Sequence, residues 1–171
     1  MENTRLTAKD LIERLELQPH PEGGFYREVY RSEESVAQEA LPSRYTGDRS
    51  FATSIYFLLT GDRFSALHRL KSDEIWHFYL GNTVEITILH EDGHLERKTL
   101  GAQITEGQQF QIVIPHGCWF GARVTEHTGF ALMGCTVAPG FDFEDFELAN
   151  RDELINQFPQ HETVIRALTG Q

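Results

Sequence analysis

The chain has 171 residues, of which 40% are hydrophobic and 24% charged, a composition typical of a folded globular protein. Its 26 acidic and 15 basic residues give a formal net charge of -11, which repels nucleic-acid phosphates and anionic lipids. We therefore expect neither nucleic-acid nor membrane partners. The charged N-terminal segment contains no apolar signal region, and no apolar run reaches the length of a membrane span, so we expect a cytoplasmic protein.

The two cysteines, Cys118 and Cys135, show no spacing typical of a zinc knuckle or a disulfide framework. We expect both to be reduced, buried thiols. No repeat, linker or low-complexity tract divides the sequence. We therefore predict a single domain that spans residues 1–171.

The first predicted element is a short helix over residues 7–17, which Thr7 can cap. The chain then breaks at HPEGG, and FYREVY (residues 25–30) has the aromatic and β-branched content of a strand. Residues 33–50 are polar and predict a long loop.

From Phe51 to Val137 the pattern is that of β-strands. Apolar residues alternate along TVEITILH, and also along QFQIVI, where Phe110, Ile112 and Ile114 should share one face. The sequence Asp-Gly between TVEITILH and LERKTL is typical of a hairpin turn. Several short strands separated by glycine and aspartate turns indicate a β-sandwich or a β-barrel.

After Pro139 the pattern changes to helix. Asn150 and Glu153 resemble a capping box at the start of RDELINQF, which Pro159 should end. The segment HETVIRALTG predicts a final helix. The predicted fold class is therefore mainly β, with a short N-terminal helix and C-terminal helices.

The stretch richest in side chains that could bind or react with a ligand is GDRFSALHRLKSDEIWHFYLG. It places His68 and Glu74 at either end of a turn, before an aromatic strand. An imidazole at His68 can titrate near neutral pH, which suits proton abstraction. Further along, Pro115 and Gly117 should form a tight turn into another strand. The segments PEGG and APGFDFEDF are interpreted as structural turns and aromatic plugs.

These segments resemble the two motifs of the cupins. His68, Glu74 and Gly81 stand at the spacings of the first motif, and Pro115 and Gly117 at those of the second. The resemblance implies a cupin double-stranded β-helix, which is a jelly-roll barrel with a cavity inside.

The sequence departs from metal-binding cupins at two ligand positions. Leu70 replaces the second histidine of the first motif, and Phe120 replaces the histidine of the second. A transition-metal ion needs at least three protein donors, and His68 with Glu74 supplies two. We therefore predict no metal site and no cofactor. Two other histidines could substitute only if a bulge turned them inward: His77 and His116.

Longer blocks resemble a cupin subfamily catalogued as a domain of unknown function: PEGGFYREVYRS, HRLKSDEIWHFYLG, VIPHGCWF and VAPGFDFEDFELA. This resemblance implies a barrel similar to those of dTDP-sugar epimerases and seed storage proteins, and it implies no settled activity. Members are usually dimeric, so we expect a homodimer, with the FYREVY strand free to cross to a partner sheet.

Strand alternation predicts which side chains face the cavity. Along the first motif Glu74 and Trp76 should point inward and His77 outward. Along the second, Cys118 and Phe120 should share a face. We predict His68 and Glu74 as catalytic candidates. The predicted ligand-binding residues in the same cavity are Leu70, Trp76, Phe78, Cys118 and Phe120.

Three functions are compatible with this cavity. The first is metal-independent binding of a small, partly apolar or sugar-like molecule. The second is a metal-independent epimerase or isomerase in which His68 is the base and Tyr56 or Tyr79 the acid. The third is a metal-dependent oxygenase, which the lost ligands disfavour. If the ligand is anionic, the candidates for local positive charge are Arg27, Arg31 and Arg69.

Overall fold

A computed structural model describes residues 6–170 of the chain. The helices are α1 (Ala8–Arg14), α2 (Arg151–Gln157) and α3 (Glu162–Leu168). The strands are β1 (Gln18–Pro19), β2 (Phe25–Arg31), β3 (Ser35–Val36), β4 (Arg49–Ser50), β5 (Thr53–Thr60), β6 (Phe64–Arg69), β7 (Asp73–Gly81), β8 (Val84–Leu89), β9 (Leu95–Leu100), β10 (Gln111–Ile114), β11 (Trp119–Val124), β12 (Phe130–Ala138) and β13 (Glu147–Leu148).

Two antiparallel sheets form the body of the protein. One has the strand order β1-β2-β5-β12-β7-β10, and the other has the order β13-β6-β11-β8-β9. Inward-facing side chains of both sheets pack into a shared apolar core, which fills much of the space between them. The mainly-β jelly-roll fold predicted from the sequence is confirmed.

Strand alternation determines which side chains reach this core. Val84, Ile86 and Ile88 on β8 are fully buried, as their spacing predicts. On β10, Ile112 and Ile114 are each 1% exposed, whereas Phe110, just before the strand, is 50% exposed. Strand β10 begins only at Gln111, so the alternation that buries Ile112 does not extend back to Phe110.

The helices cover the outer faces of the two sheets. Helix α1 packs against the six-stranded sheet, and Thr7 closes a capping box at its start. Helices α2 and α3 pack against the five-stranded sheet, where Leu154 and Ile165 contact Trp119 and its neighbours. The predicted 33–50 loop contains the small hairpin β3–β4. Within residues 6–170, no helix is both long enough and apolar enough to cross a membrane.

Candidate functional site

A cavity of about 420 Å³ lies between the two sheets. Its wall combines side chains from β2, β5, β6, β7 and β12 with those of residues 141–146, which follow β12. Polar groups from both sheets and from the PEGG turn meet at one side of it. These groups are described first, because they can recognise a ligand.

His68 lies on β6 and is only 2% exposed. Its Nδ1 atom is 2.7 Å from the carbonyl oxygen of Ala66, and its Nε2 atom is 3.1 Å from Glu22 Oε2. A carbonyl oxygen can only accept, so Nδ1 carries the hydrogen of that bond. A single proton is then shared between His68 Nε2 and Glu22. Both ring nitrogens of His68 are therefore engaged.

Glu22 is a buried carboxyl group in the PEGG turn. Its Oε1 atom accepts a hydrogen bond of 2.8 Å from the Ser65 hydroxyl group. Burial raises the pKa of Glu22 to about 8, and burial lowers the pKa of His68. Both shifts favour the neutral pair, in which a protonated Glu22 donates to His68.

Glu74 stands at the start of β7 and is also buried. Burial raises its pKa to about 7; His68 opposes this rise, and the neighbouring Glu22 adds to it. Within the described part of the chain, Glu74 Oε2 and Trp76 Nε1 are buried polar atoms with no partner at hydrogen-bond geometry, although the Trp76 N–H group and the Cys135 thiol lie close enough to lower the pKa of Glu74. An unsatisfied buried polar group costs about 1–3 kcal/mol, so a ligand that donates a hydrogen bond here is favoured.

Aromatic rings form the rest of the cavity wall. His20 contacts the edge of Tyr26, with 4.6 Å between ring centroids. Burial lowers the pKa of His20 to about 4, and its Nδ1 atom accepts a hydrogen bond from the backbone N–H of Glu22, so the ring is neutral. The rings of Phe141, Phe143 and Phe146 lie 5.0–6.3 Å from one another.

A buried ion pair holds these phenylalanines in place. Arg49 on β4 donates two hydrogen bonds of 2.7 Å to Asp145, and both side chains are only 3% exposed. The backbone of Phe141 is fixed as well, since its N–H group donates to Thr53 Oγ1 and its carbonyl oxygen accepts from Arg31. The aromatic wall is therefore anchored to the six-stranded sheet and to the small hairpin.

The structure brings only part of the predicted site together. His68, Leu70 and Glu74 line the cavity. Trp76 and Phe120 point inward, but they belong to the packed core beneath it, where their ring centroids are 6.3 Å apart.

Two more predicted ligand-binding residues do not line the cavity. Phe78 packs, partly buried, against the same core. Cys118 is also buried, and its Sγ atom lies 3.4 Å from His90 Nδ1. The prediction that all seven residues share one cavity is corrected, because large side chains fill the interior below Glu74.

The opposite face of β7, which carries His77 and Tyr79, points away from the cavity. His77 lies on the outer side, where its Nε2 atom is 3.1 Å from Thr136 Oγ1. The proposed acids Tyr56 and Tyr79 form an edge-to-face pair, in which Tyr79 is 48% exposed and Tyr56 packs against the α1 cluster. Neither lines the cavity, whereas Tyr26 does.

Of the three arginines predicted as candidates for local positive charge, one lines the cavity. Arg31 lines the cavity, while Arg27 pairs with Glu16 and Arg69 pairs with Glu147. Both cysteines are buried, free thiols, as predicted. Cys135 lines the cavity, although no motif or spacing had singled it out.

Sequence reasoning missed Glu22 and the three phenylalanines, since PEGG and APGFDFEDF were interpreted as purely structural. A glutamate between a proline and two glycines was the available signal. Gly23 and Gly24 have φ values of +111° and +70°, and an added Cβ atom would lie 2.2 Å and 2.7 Å from neighbouring backbone oxygens. This close approach brings Glu22 under β6.

The side chains present do not fit a metal centre. Leu70 and Phe120 occupy two ligand positions of metal-binding cupins, and the Phe120 ring centroid is 4.0 Å from that of His68. His116 lies at the surface, 2.8 Å from Asp73. Between residues 6 and 170, no three histidine, cysteine, aspartate or glutamate side chains are grouped so that they could hold a metal ion.

Comparisons with known proteins agree with this architecture. A protein of Shewanella oneidensis is 41% identical, with a TM-score of 0.87 and coverage of 96% of this chain and 98% of that chain. A hypothetical protein of Leishmania major is 36% identical, with a TM-score of 0.88 and coverage of 97% and 100%. An uncharacterised protein of Saccharomyces cerevisiae is 28% identical over 157 residues, which are 86% of this chain and 78% of the yeast protein.

More distant likeness concerns the fold alone. Oxalate decarboxylase from Bacillus subtilis is 17% identical with a TM-score of 0.55, and the match covers 90% of this chain but 37% of the enzyme. The family described as "Cupin superfamily (DUF985)" matches residues 9–149. The chain therefore belongs to this family of the cupin superfamily.

Proposed function

We propose that the protein binds a small molecule in the barrel cavity, without a metal ion. The observation that carries this proposal is the buried, unpartnered Oε2 atom of Glu74, which lies among cavity-lining groups beside the His68–Glu22 pair. Native proteins rarely leave a buried polar atom without a partner. A ligand that donates a hydrogen bond to this oxygen removes the penalty.

The rest of the cavity supports the same proposal. Its volume of about 420 Å³ is within the range of small-molecule sites. Its wall is largely apolar, with a few polar groups gathered at one side, which is the usual composition of such sites. Metal independence is supported by the hydrocarbon side chains of Leu70 and Phe120, which stand at two of the four ligand positions.

A second candidate is a metal-independent isomerase that moves a proton on the bound molecule. It is favoured by the buried carboxyl partner of His68 and by the phenol of Tyr26, which lines the same cavity. Because both nitrogens of His68 are engaged, Glu74 is the better placed base. Its pKa of about 7 suits proton transfer at neutral pH.

A ligand screen tests both candidates. Thermal unfolding of the wild-type protein and of Glu74→Gln is measured against a library of small metabolites, with and without a metal chelator. We expect ligands that raise the unfolding temperature of the wild type much more than that of the variant, equally with chelator. Each ligand is then incubated with the protein in deuterated water. Deuterium incorporation at a carbon indicates an isomerase, and its absence indicates a binding protein.

We also propose that the protein is a homodimer. Within residues 6–170, only the first two residues of β2 pair with β1, so no described strand covers the edge from Arg27 to Arg31 on that side. Val29 and Tyr30 on this edge are 44% and 54% exposed. Light scattering at micromolar concentration should give the mass of two chains, and the mass of one chain would contradict this proposal.

A further inference from the structure

The charges around the cavity are unbalanced. Four of its lining residues carry carboxyl groups, and one, Arg31, carries a guanidinium group. Glu28 already binds Arg31 through hydrogen bonds of 2.7 Å and 3.0 Å, and the carbonyl oxygen of Phe141 accepts a third. These bonds use three of the five N–H groups of Arg31, and a fourth donates to Ser50 Oγ at 3.4 Å. Glu22 and Glu74 lie deeper, with no arginine or lysine among their partners within the described residues.

Aromatic side chains surround this acidic side of the cavity. Tyr26 and Phe57 stand on one side, and Phe141, Phe143 and Phe146 on the other. The ring of His20 links them, at 4.6 Å from Tyr26 and 5.8 Å from Phe146. The faces of aromatic rings attract cations, and the attraction strengthens when water is excluded.

We propose that the cavity selects a small organic ammonium ion, whose N–H group donates to Glu74 Oε2 and whose apolar body lies among these aromatic rings. This inference rests on the proposed function and names the chemical class of the ligand. A charge-assisted hydrogen bond to a carboxylate is about twice as strong as a neutral one, and here water is largely excluded. A cation also restores the ionised form of a carboxyl group that burial otherwise keeps partly protonated.

The same charges disfavour an anionic ligand. A sugar attached to a nucleoside diphosphate carries negative phosphates, which need free arginine or lysine side chains or backbone N–H groups. Among the described residues, Arg31 is the one arginine or lysine that lines the cavity, and Glu28 already accepts two of its hydrogen bonds. An epimerase reaction on a nucleotide-linked sugar is therefore a poor match for this cavity.

Three probes of one shape and different charge test the inference: benzylamine as its ammonium ion, benzyl alcohol and benzoate. Their affinities are measured by titration calorimetry, and their location by NMR shifts of cavity residues. We expect the ammonium ion to bind at least ~10-fold more tightly than the alcohol, and benzoate to bind most weakly. Glu74→Gln should reduce the preference for the ammonium ion to about 2-fold, and Glu126→Gln, on the exposed surface, should leave it unchanged.

The pH dependence gives a second readout. Benzylamine remains a cation between pH 6 and pH 8, while Glu74 ionises, with a pKa of about 7 in the empty protein. Its affinity should therefore rise roughly ten-fold across this range, while that of the alcohol stays level. The groups that face Glu74 are His68, Glu22, Trp76 and the Cys135 thiol. Because Glu22, with a pKa of about 8, begins to ionise in the same range, the rise should be smaller in Glu74→Gln than in the wild type.

Each outcome decides the question. If the alcohol or benzoate binds in the cavity as tightly as the ammonium ion, the proposed charge preference is wrong, while small-molecule binding stands. If all three bind outside the cavity, or none binds, the ammonium preference is contradicted, and the metabolite screen decides separately whether the cavity binds a small molecule. Thermal unfolding of each variant shows that a lost preference does not come from a lost fold.

Discussion

The space between the two sheets has a packed region and an open region, and β7 contributes to both. Trp76 lies in the packed region, where it contacts Phe57 and Phe120 and is 1% exposed. Two residues earlier, Glu74 lies in the open region, with an unpartnered oxygen. Both side chains point to the same face of the strand. Depth along the barrel therefore decides whether an inward side chain stabilises the fold or faces a ligand.

The two regions should respond differently to substitution. Side chains of the packed region lose dispersion contacts when truncated, so the effect appears in the free energy of unfolding. Side chains around the cavity contact few atoms on its open side, so the effect appears mainly in ligand affinity. The following predictions test this division.

The largest effect is expected in the packed region. Phe120→Ala should lower the free energy of unfolding by about 3–5 kcal/mol, because it leaves a void among fully buried side chains. Phe143→Ala, at a cavity residue that is 52% exposed, should lower it by less than about 1 kcal/mol. Urea unfolding of both variants measures these values. Equal losses would show that the two regions are not energetically distinct.

The second-largest loss of stability is expected at the Arg49–Asp145 ion pair, which anchors the aromatic wall. Asp145→Asn leaves the buried Arg49 guanidinium with only the exposed Glu144 carboxylate at 3.7 Å, which should lower the free energy of unfolding by about 3 kcal/mol. The control is Glu147→Gln, which removes the exposed partner of Arg69 and should change stability by less than about 1 kcal/mol. A similar small loss in both variants would mean that the wall is held by packing alone.

Glu74 should make stability depend on pH. Its pKa is raised from 4.5 to about 7 in the folded protein, so the folded state binds the proton more tightly than the unfolded state does. This contribution is fully present below pH 4.5 and is lost as the pH rises through about 7. Its size is on the order of 2 kcal/mol.

Urea unfolding between pH 5 and pH 8 measures how steeply the free energy of unfolding changes with pH. Glu74→Gln should reduce the decline in stability with rising pH, because glutamine does not titrate. His20 does not mimic this effect: its lowered pKa contributes stability above its usual range, which is lost as the pH falls toward about 4. An unchanged slope in Glu74→Gln would contradict the assigned environment of this carboxyl group.

The two histidines should differ mainly in their effect on ligand binding. His68→Ala should weaken ligand binding by roughly ten-fold, since it removes the partner that orients Glu22. His77→Ala, on the outer face of the six-stranded sheet, should leave the affinity unchanged. Titration calorimetry with benzylamine or a ligand from the metabolite screen measures both. A larger loss in His77→Ala would place the ligand on the outer face.

The sequence predicted the fold in most respects because short-range patterns determine it. Alternation in β8 and the cap at Thr7 are local features, and both were interpreted correctly. The inward direction of Trp76 was also predicted by alternation. Alternation does not tell how far along the barrel a side chain lies. The sequence therefore did not show that Phe120 fills the barrel while Leu70 lines the cavity.

The groups that the sequence missed come from distant parts of the chain. Glu22 reaches His68 across 46 positions, and Phe141 closes the cavity from beyond β12. No periodicity connects such residues, because their proximity results from the packing of the two sheets. The motif match identified His68 and Glu74. The structure then showed that Glu22 is the partner of His68, and that Glu74 Oε2 has no partner among the described residues.

Native mass spectrometry after exposure to a small-molecule extract tests the central claim most directly. The wild-type protein is compared with Leu70→Trp, in which a larger side chain fills the cavity. The account predicts a discrete mass increase in the wild type that is absent from Leu70→Trp, while both proteins unfold at similar temperatures. The same adduct on both proteins, or no adduct on the wild type, would contradict the claim that the barrel cavity is a binding site.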